Sequence, residues 1–291
     1  MSISSVTGVN NLHNSTRPTS EKSEDTMPNW RSIVYAGGAY LASNTIGGML
    51  ATKVSSGMSG EIMKLSDACK VTKNEAKQIF KLSNLKKQGV RIRNCNLTKK
   101  IKSYTEAQAA TGHNAFYVPE VKKILCNLNS SAIFAPHEMG HAKNYMSKNI
   151  FIKALAKSRN LGILYLPILA VALFRKPKKE GEESNTIMGK TLDYVKENSV
   201  GLAAATFAPT LIEEGLASIR GANLAKKVLS PEKLKAMKMI NAKGWLSYAI
   251  LEGFAVFATW AVNKIRELSV PKDENIAKIN PETTASKEII A

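Results

Sequence analysis

The chain has 291 residues, a formal net charge of +18 and a sequence pI near 9.7. That length is enough for a sizeable core in one large domain or two small ones. The basic excess suits either nucleic acid or a membrane protein with basic cytoplasmic segments. The lysines and arginines are scattered along helix-like stretches, without interleaved aromatics or a nucleic-acid motif, so nucleic acid is not an expected partner. Three widely spaced cysteines, Cys69, Cys95 and Cys126, argue against a disulfide framework and against a thiolate zinc cluster.

Residues 1–28 are rich in Ser, Thr and Asn with little to bury, and read as a disordered leader. No apolar core lies near Met1, so a cleaved signal peptide is not expected. One membrane-associated domain is expected over 29–263. It opens with the apolar segment 33–52, inside an uncharged run of 21 residues from Ser32 to Thr52, long enough to cross a bilayer as a helix. Gly38 and Ala42 there suit close helix packing. Its Gly, Ser, Asn and Thr dilute the apolarity, which leaves a buried helix of a soluble domain as the alternative.

From Lys53 to Asn149 the chain is polar and basic, with 17 Lys and Arg against 6 Asp and Glu. "SDACKVTKNEAKQIFKLSNL" has apolar residues at helical spacing, with Ser66 or Thr72 as the cap. In "HNAFYVPEVKKILCN", aromatic and β-branched residues flank Pro119, which predicts two short strands around a turn.

Two uncharged runs come next, 160–174 and 198–212, joined by a polar stretch beginning "RKPKKEGEE". Each is about 15 residues, below the roughly 20 of a full crossing, so a tilted hairpin, a re-entrant pair and two buried core helices all stay open. Extending the first back to Ile150 lengthens it, with Lys153, Lys157 and Arg159 reaching out to the interface. The last apolar segment, 244–263, holds Trp245, Trp260 and a single acid, Glu252, whose burial would be costly without a function, a lysine partner or a helix contact. Residues 264–291 read as a polar tail. The fold class expected is mainly α, with a small β hairpin and about four apolar, membrane-associated helices.

Between the predicted strands and the second apolar run stands "PHEMGHAKN", residues 136–144. On a helix, His137 and His141 share one face and Glu138 projects beside them. Zinc chemistry explains that spacing: two neutral imidazoles anchor the ion, and the adjacent carboxylate takes the proton of the water that the ion activates, then delivers it to the leaving amine. Gly140 and Ala142 leave room for another helix or a substrate backbone, while Pro136 must begin the helix or kink it. A catalytic zinc needs a third protein ligand. Glu213 and Glu214 are the acids that close the apolar run 198–212; one is expected to face the ion and the other to orient a histidine. His113 reads as a turn histidine and His13 lies in the leader.

"HEMGHA" after "NAF" and a short apolar strand, then two apolar segments and "EEGLAS", resembles the glutamate-ligand zinc metallopeptidases of membranes. The similarity is to the HtpX-like and CAAX-prenyl-protease-like family and the neighbouring neutral zinc membrane peptidases, and it covers about residues 113–223. It implies a helical zincin-type core with Zn2+ held by His137, His141 and Glu214, which stands three before Ala217. Glu213 is the reserve ligand. The resemblance also implies Glu138 as general base and Asn114, Ala115 and Phe116 as an edge strand that pairs with an extended polypeptide substrate. Ser218 departs from the Asp usual after the alanine in the HtpX-like branch. Tyr145, Tyr117 and Arg220 are the candidate oxyanion donors.

The basic balance of 53–149 places the site on the cytoplasmic face by the positive-inside tendency. The "RKPKK" linker runs against that tendency if the hairpin crosses. The function expected is a zinc endopeptidase acting on membrane or membrane-proximal proteins, with a lipid bilayer as the other partner. A scaffold that retains the fold without turnover and a soluble metallopeptidase are the rivals.

Overall fold

The computed structural model describes residues 30–98, 101–130, 132–177 and 184–268. The leader expected over 1–28 and the tail beyond 268 lie outside them. The first helix, α1 (Trp30–Ala68), contains the apolar segment 33–52. At Thr72 the backbone turns into α2 (Lys73–Ser83) through a capping box: the Thr72 hydroxyl accepts from the Glu75 amide, and the Glu75 carboxylate accepts from the Thr72 amide at 2.8 Å. Ser66, the other candidate cap, lies inside α1.

Strand β1 (Arg91–Asn94) leads through α3 (Tyr104–Ala110) to β2 (Ala115–Val118) and β3 (Lys123–Cys126). The expected hairpin forms around Pro119, with Phe116 opposite Leu125 and Tyr117 opposite Ile124. It carries one strand more than expected, because β1 pairs in parallel with β3 and gives the order β1-β3-β2. "RIRN" hides as a strand because its two arginines leave one apolar residue, Ile92, to betray the alternation. Among the described residues β2 is an edge strand.

Helix α4 (Ala135–Tyr145) carries the histidines and holds Pro136 in its first turn, where a missing N–H removes no helical bond. Beyond it come α5 (Ile150–Ser158), a 3₁₀ turn over Arg159–Leu164, α6 (Tyr165–Phe174), α7 (Ile187–Glu197), α8 (Ser199–Ala225) and α9 (Pro231–Leu268). Helix α9 therefore runs past residue 264, where the tail was expected to begin. The main core joins Ile79, Leu85, Ile124, Ile133, Met139 and Met237, so α2, the sheet, α4 and α9 share one interior.

Helices α4 and α8 run antiparallel in backbone contact. A Cβ on Gly140 would fall 2.0 Å from the Ala217 carbonyl oxygen, and one on Gly221 would fall 2.4 Å from that of Pro136. Glycine is required at both positions by this approach.

Among the described residues two helical stretches, not four, are long and apolar enough to cross a membrane: Ile150–Phe174, formed by α5, the 3₁₀ turn and α6, and α9. In α1 only Ile33–Ala42 forms a short apolar helix, because Ser43, Asn44, Thr45 and a glycine pair interrupt the run beyond it. The run 198–212 is largely alanine and other small residues and leads straight into Glu213 and Glu214, so α8 does not qualify. All the same, α1, α6 and α9 meet in a second small cluster of Ala36, Leu169, Ala172 and Val262. Only 11% of the apolar window in Ile150–Phe174 and 17% of that in α9 is buried, so neither window lies in the core.

Candidate metal centre and cleft

His137 and His141 stand one turn apart on α4, with their Nε2 atoms 2.9 Å from each other. From α8, Glu214 Oε2 lies 3.1 Å from His137 Nε2 and 3.5 Å from His141 Nε2. Consecutive helical residues point about 100° apart, so Glu213 faces elsewhere: its carboxylate meets His141 Nδ1 at 2.7 Å and accepts from the Asn144 amide at 2.9 Å. The Ser218 hydroxyl lies 3.1 Å from His137 Nδ1. The serine that departs from the family pattern thus faces the rear of the first imidazole.

Arg159 does not reach away to an interface as expected. Its guanidinium donates to Glu214 Oε1 at 2.6 Å, and its carbonyl accepts from Thr210 at 2.8 Å. The 3₁₀ turn between α5 and α6 is what aims it inward, since an arginine beside two buried carboxylates is stabilised more than one in an apolar surface.

The centre gathers three buried carboxylates around the two imidazoles. Glu138, Glu213 and Glu214 are all buried, at 8%, 1% and 4% exposure. Burial raises the Glu138 carboxyl above its ordinary range against the opposing pull of His141 and His137. Burial acts the same way on Glu214, but its contacts with His137 and His141 prevail and hold it well below the usual carboxylate range. Burial would lower His141, yet the charge of Glu138 and the carboxylates of Glu213 and Glu214 lift it to about 10. With an ion in place of the Nε2 proton, the Glu213 carboxylate would keep the other proton on Nδ1 and turn the Nε2 lone pair inward.

Three electron-pair donors, His137 Nε2, His141 Nε2 and Glu214 Oε2, therefore point at one another across 2.9, 3.1 and 3.5 Å. Tetrahedral zinc with ligands at about 2.0–2.1 Å sets neighbouring donors roughly 3.3 Å apart. The three residues fit such an ion in number, chemistry and spacing, and each has an outer partner: Ser218, Glu213 and Arg159 in turn.

A cleft of about 890 Å³ opens over this cluster. Asn114, Ala115 and Phe116 line one wall with the rest of β2. The Tyr117 amide points off the outer edge of that strand and donates to Glu138 Oε2 at 2.5 Å, which fixes the carboxylate beside the histidines. Asn241, Trp245 and Tyr248 of α9 and Ser59 and Met63 of α1 line the cleft as well. His113 lines the cleft as an exposed turn residue outside the cluster, and His13 lies outside the described residues. Of the candidate oxyanion donors, Tyr117 and Tyr145 line the cleft and pack edge to face, 6.1 Å between centroids, whereas Arg220 does not line it.

Arg159, Asn144 and the α9 wall escaped the sequence reading. The signal for Arg159 was a lone guanidinium ending a basic stretch just ahead of an apolar run. For α9 it was Asn241, Trp245 and Tyr248 recurring at helical spacing. No protein-family model, curated protein or solved structure matches this chain.

Proposed function

We propose that the chain is a membrane-associated zinc endopeptidase of helical zincin type that hydrolyses membrane or membrane-proximal polypeptides. The observation that carries the reading is the inward convergence of His137 Nε2, His141 Nε2 and Glu214 Oε2 beneath a cleft with an edge strand. These three residues would hold the ion. When bound, zinc supplies Lewis acidity and makes a water acidic near neutral pH.

The protein's own groups do the rest. Strand β2 would lend its outer edge to an extended substrate lying in the cleft beside Glu138. Glu138, held by the Tyr117 amide and kept from easy ionisation by burial, takes the proton of the attacking water and returns it to the amide nitrogen as the C–N bond breaks. Glu213 and Asn144 fix the imidazole of His141, Ser218 that of His137, and Arg159 the free oxygen of Glu214.

Membrane association is supported by the exposed apolar side chains of Ile150–Phe174, among them Phe151, Ile163 and Leu166, and by Leu251, Phe257 and Trp260 on α9. In water such a surface would be an aggregation hazard. The basic balance of 53–149 supports a cytoplasmic active site.

The test is elemental analysis of the detergent-purified protein together with cleavage of an unfolded test protein by wild type and Glu138→Gln. The peptidase reading expects about one zinc per chain in both and cleavage by wild type alone. Equal cleavage by the two, or none by zinc-loaded wild type, refutes it and leaves a non-catalytic scaffold. Release of the intact chain from membranes by carbonate without detergent would refute the membrane part separately.

A further inference from the structure

The peptidase reading leaves one chemical task without a residue, which is stabilising the charge that develops on the scissile carbonyl oxygen. The donors must already be in place where that charge appears, within a site shielded from water. The Tyr117 hydroxyl is buried without a hydrogen-bond partner, so a substrate in the cleft cannot reach it unless the ring moves. Tyr145 is packed against Tyr117, Arg220 is away from the cleft, and Arg159 is held by Glu214.

Tyr248 is differently placed. It lies on α9, outside the region that carries the motif, and lines the cleft together with the residues of β2. Its ring is 43% exposed, and its hydroxyl has no hydrogen-bond partner among the described residues. It lines the same cleft as His137, Glu138, Arg159 and Glu214. The rotation of α9 that aims it there is fixed nearby, because the Trp245 indole donates to the Leu211 carbonyl of α8 at 2.8 Å. Residues three apart on a helix share a face, so anchoring Trp245 against α8 also sets the direction of Tyr248.

We propose that Tyr248 is a catalytic residue whose hydroxyl donates a hydrogen bond to the oxyanion formed on the scissile carbonyl of a peptide extended along β2, an inference that rests on the peptidase reading. As the water oxygen bonds to the carbonyl carbon, the carbonyl π pair moves onto oxygen, and the phenol bonds to it while keeping its own proton. The proton lost by water goes to Glu138 and then to the leaving nitrogen. When the carbonyl reforms, the C–N bond breaks and Tyr248 is left as it began.

The experiment uses full-length Tyr248→Phe in detergent micelles, with fluorophore-labelled, unfolded casein as substrate. The ring and its packing are retained, so loss of the hydroxyl is what is read. The expected result is a fall of about 100-fold in kcat, the size of one oxyanion donor, with KM within about threefold and zinc content unchanged. Affinity for a phosphinic peptide, whose tetrahedral anionic group mimics the oxyanion without being turned over, should fall by at least tenfold. A kcat within threefold of wild type overturns the assignment of Tyr248, and so does a loss confined to KM or to zinc content. Failure of zinc-loaded wild type to cleave overturns the peptidase reading itself, and it is told apart by being independent of residue 248.

Discussion

Gly140→Ala is the most direct probe of how the two ligand-bearing helices are held together. The added methyl would stand 2.0 Å from the Ala217 oxygen and 2.9 Å from its Cα, where ordinary contact begins at 3.4 Å. Because both obstacles are backbone, no rotamer change relieves them, and α8 must withdraw by about 1.4 Å to reach normal separations. Overpacking of this kind costs about 1–3 kcal/mol, against a gain of about 1 kcal/mol from alanine's better helix propensity. A net loss of about 1–2 kcal/mol is expected. The larger effect falls on the centre: Ala217 lies three residues after Glu214, so the same withdrawal stretches the 3.1 Å spacing to His137 beyond what one ion can bridge. Zinc affinity should drop by about 100-fold or more, in line with the cost of a 1 Å misplacement at a reacting centre.

Competition with a chromophoric chelator measures that affinity, and thermal unfolding in the same detergent measures the stability. Gly201→Ala, on α8 with no atom within 4 Å of the new methyl, is the control and should gain about 0.5–1 kcal/mol. If Gly140→Ala bound zinc as tightly as wild type and melted no earlier, the account of the α4–α8 contact would be wrong.

Three further outcomes are expected. Arg159→Met removes the clamp on Glu214 Oε1, and zinc affinity should weaken about 10- to 100-fold; an unchanged chelator titration would reduce the arginine to a bystander. The Asn241 amide nitrogen is buried without a partner, so Asn241→Leu should leave unfolding free energy unchanged or raise it by about 1 kcal/mol, and a clear loss in denaturant titration would reveal a bond that the geometry does not. Glu75→Ala should cost about 1 kcal/mol near neutral pH through the lost capping box. Burial opposes ionisation of Glu75, but Lys233 and Thr72 outweigh it and hold the carboxyl below its ordinary value of 4.5. Its charge therefore stabilises the fold above about pH 4.5 and ceases to as acid takes the pH through the lower folded value. The gap between wild type and variant should narrow in that window, and a gap that widens in acid would contradict the assignment.

The parts of the fold that depend on neighbours in sequence were legible. Thr72 was one of two candidate caps and starts α2, Pro119 marks the turn between β2 and β3, and the spacing of His137 and His141 puts both imidazoles on one face. Features that depend on how distant elements meet were not. The choice between Glu213 and Glu214 is a matter of 100° in the rotation of α8, set by the glycine contacts with α4. Strand β1 pairs across α3 and has too few apolar residues to signal itself. Four apolar segments were read and two helices have the length and apolarity to cross a membrane, because alanine-rich 198–212 is uncharged without being strongly apolar. Arg159 joins the centre through Glu214, a partner 55 residues away in the chain.

The order of the chain has a consequence for biosynthesis. His137 and Glu214 are 77 residues apart, with α5, α6 and α7 between them. A nascent chain that has exposed α4 but not yet delivered α8 has the two histidines of the proposed metal site and no third donor. Assembly of the three residues thus waits for the intervening helical excursion to be laid down.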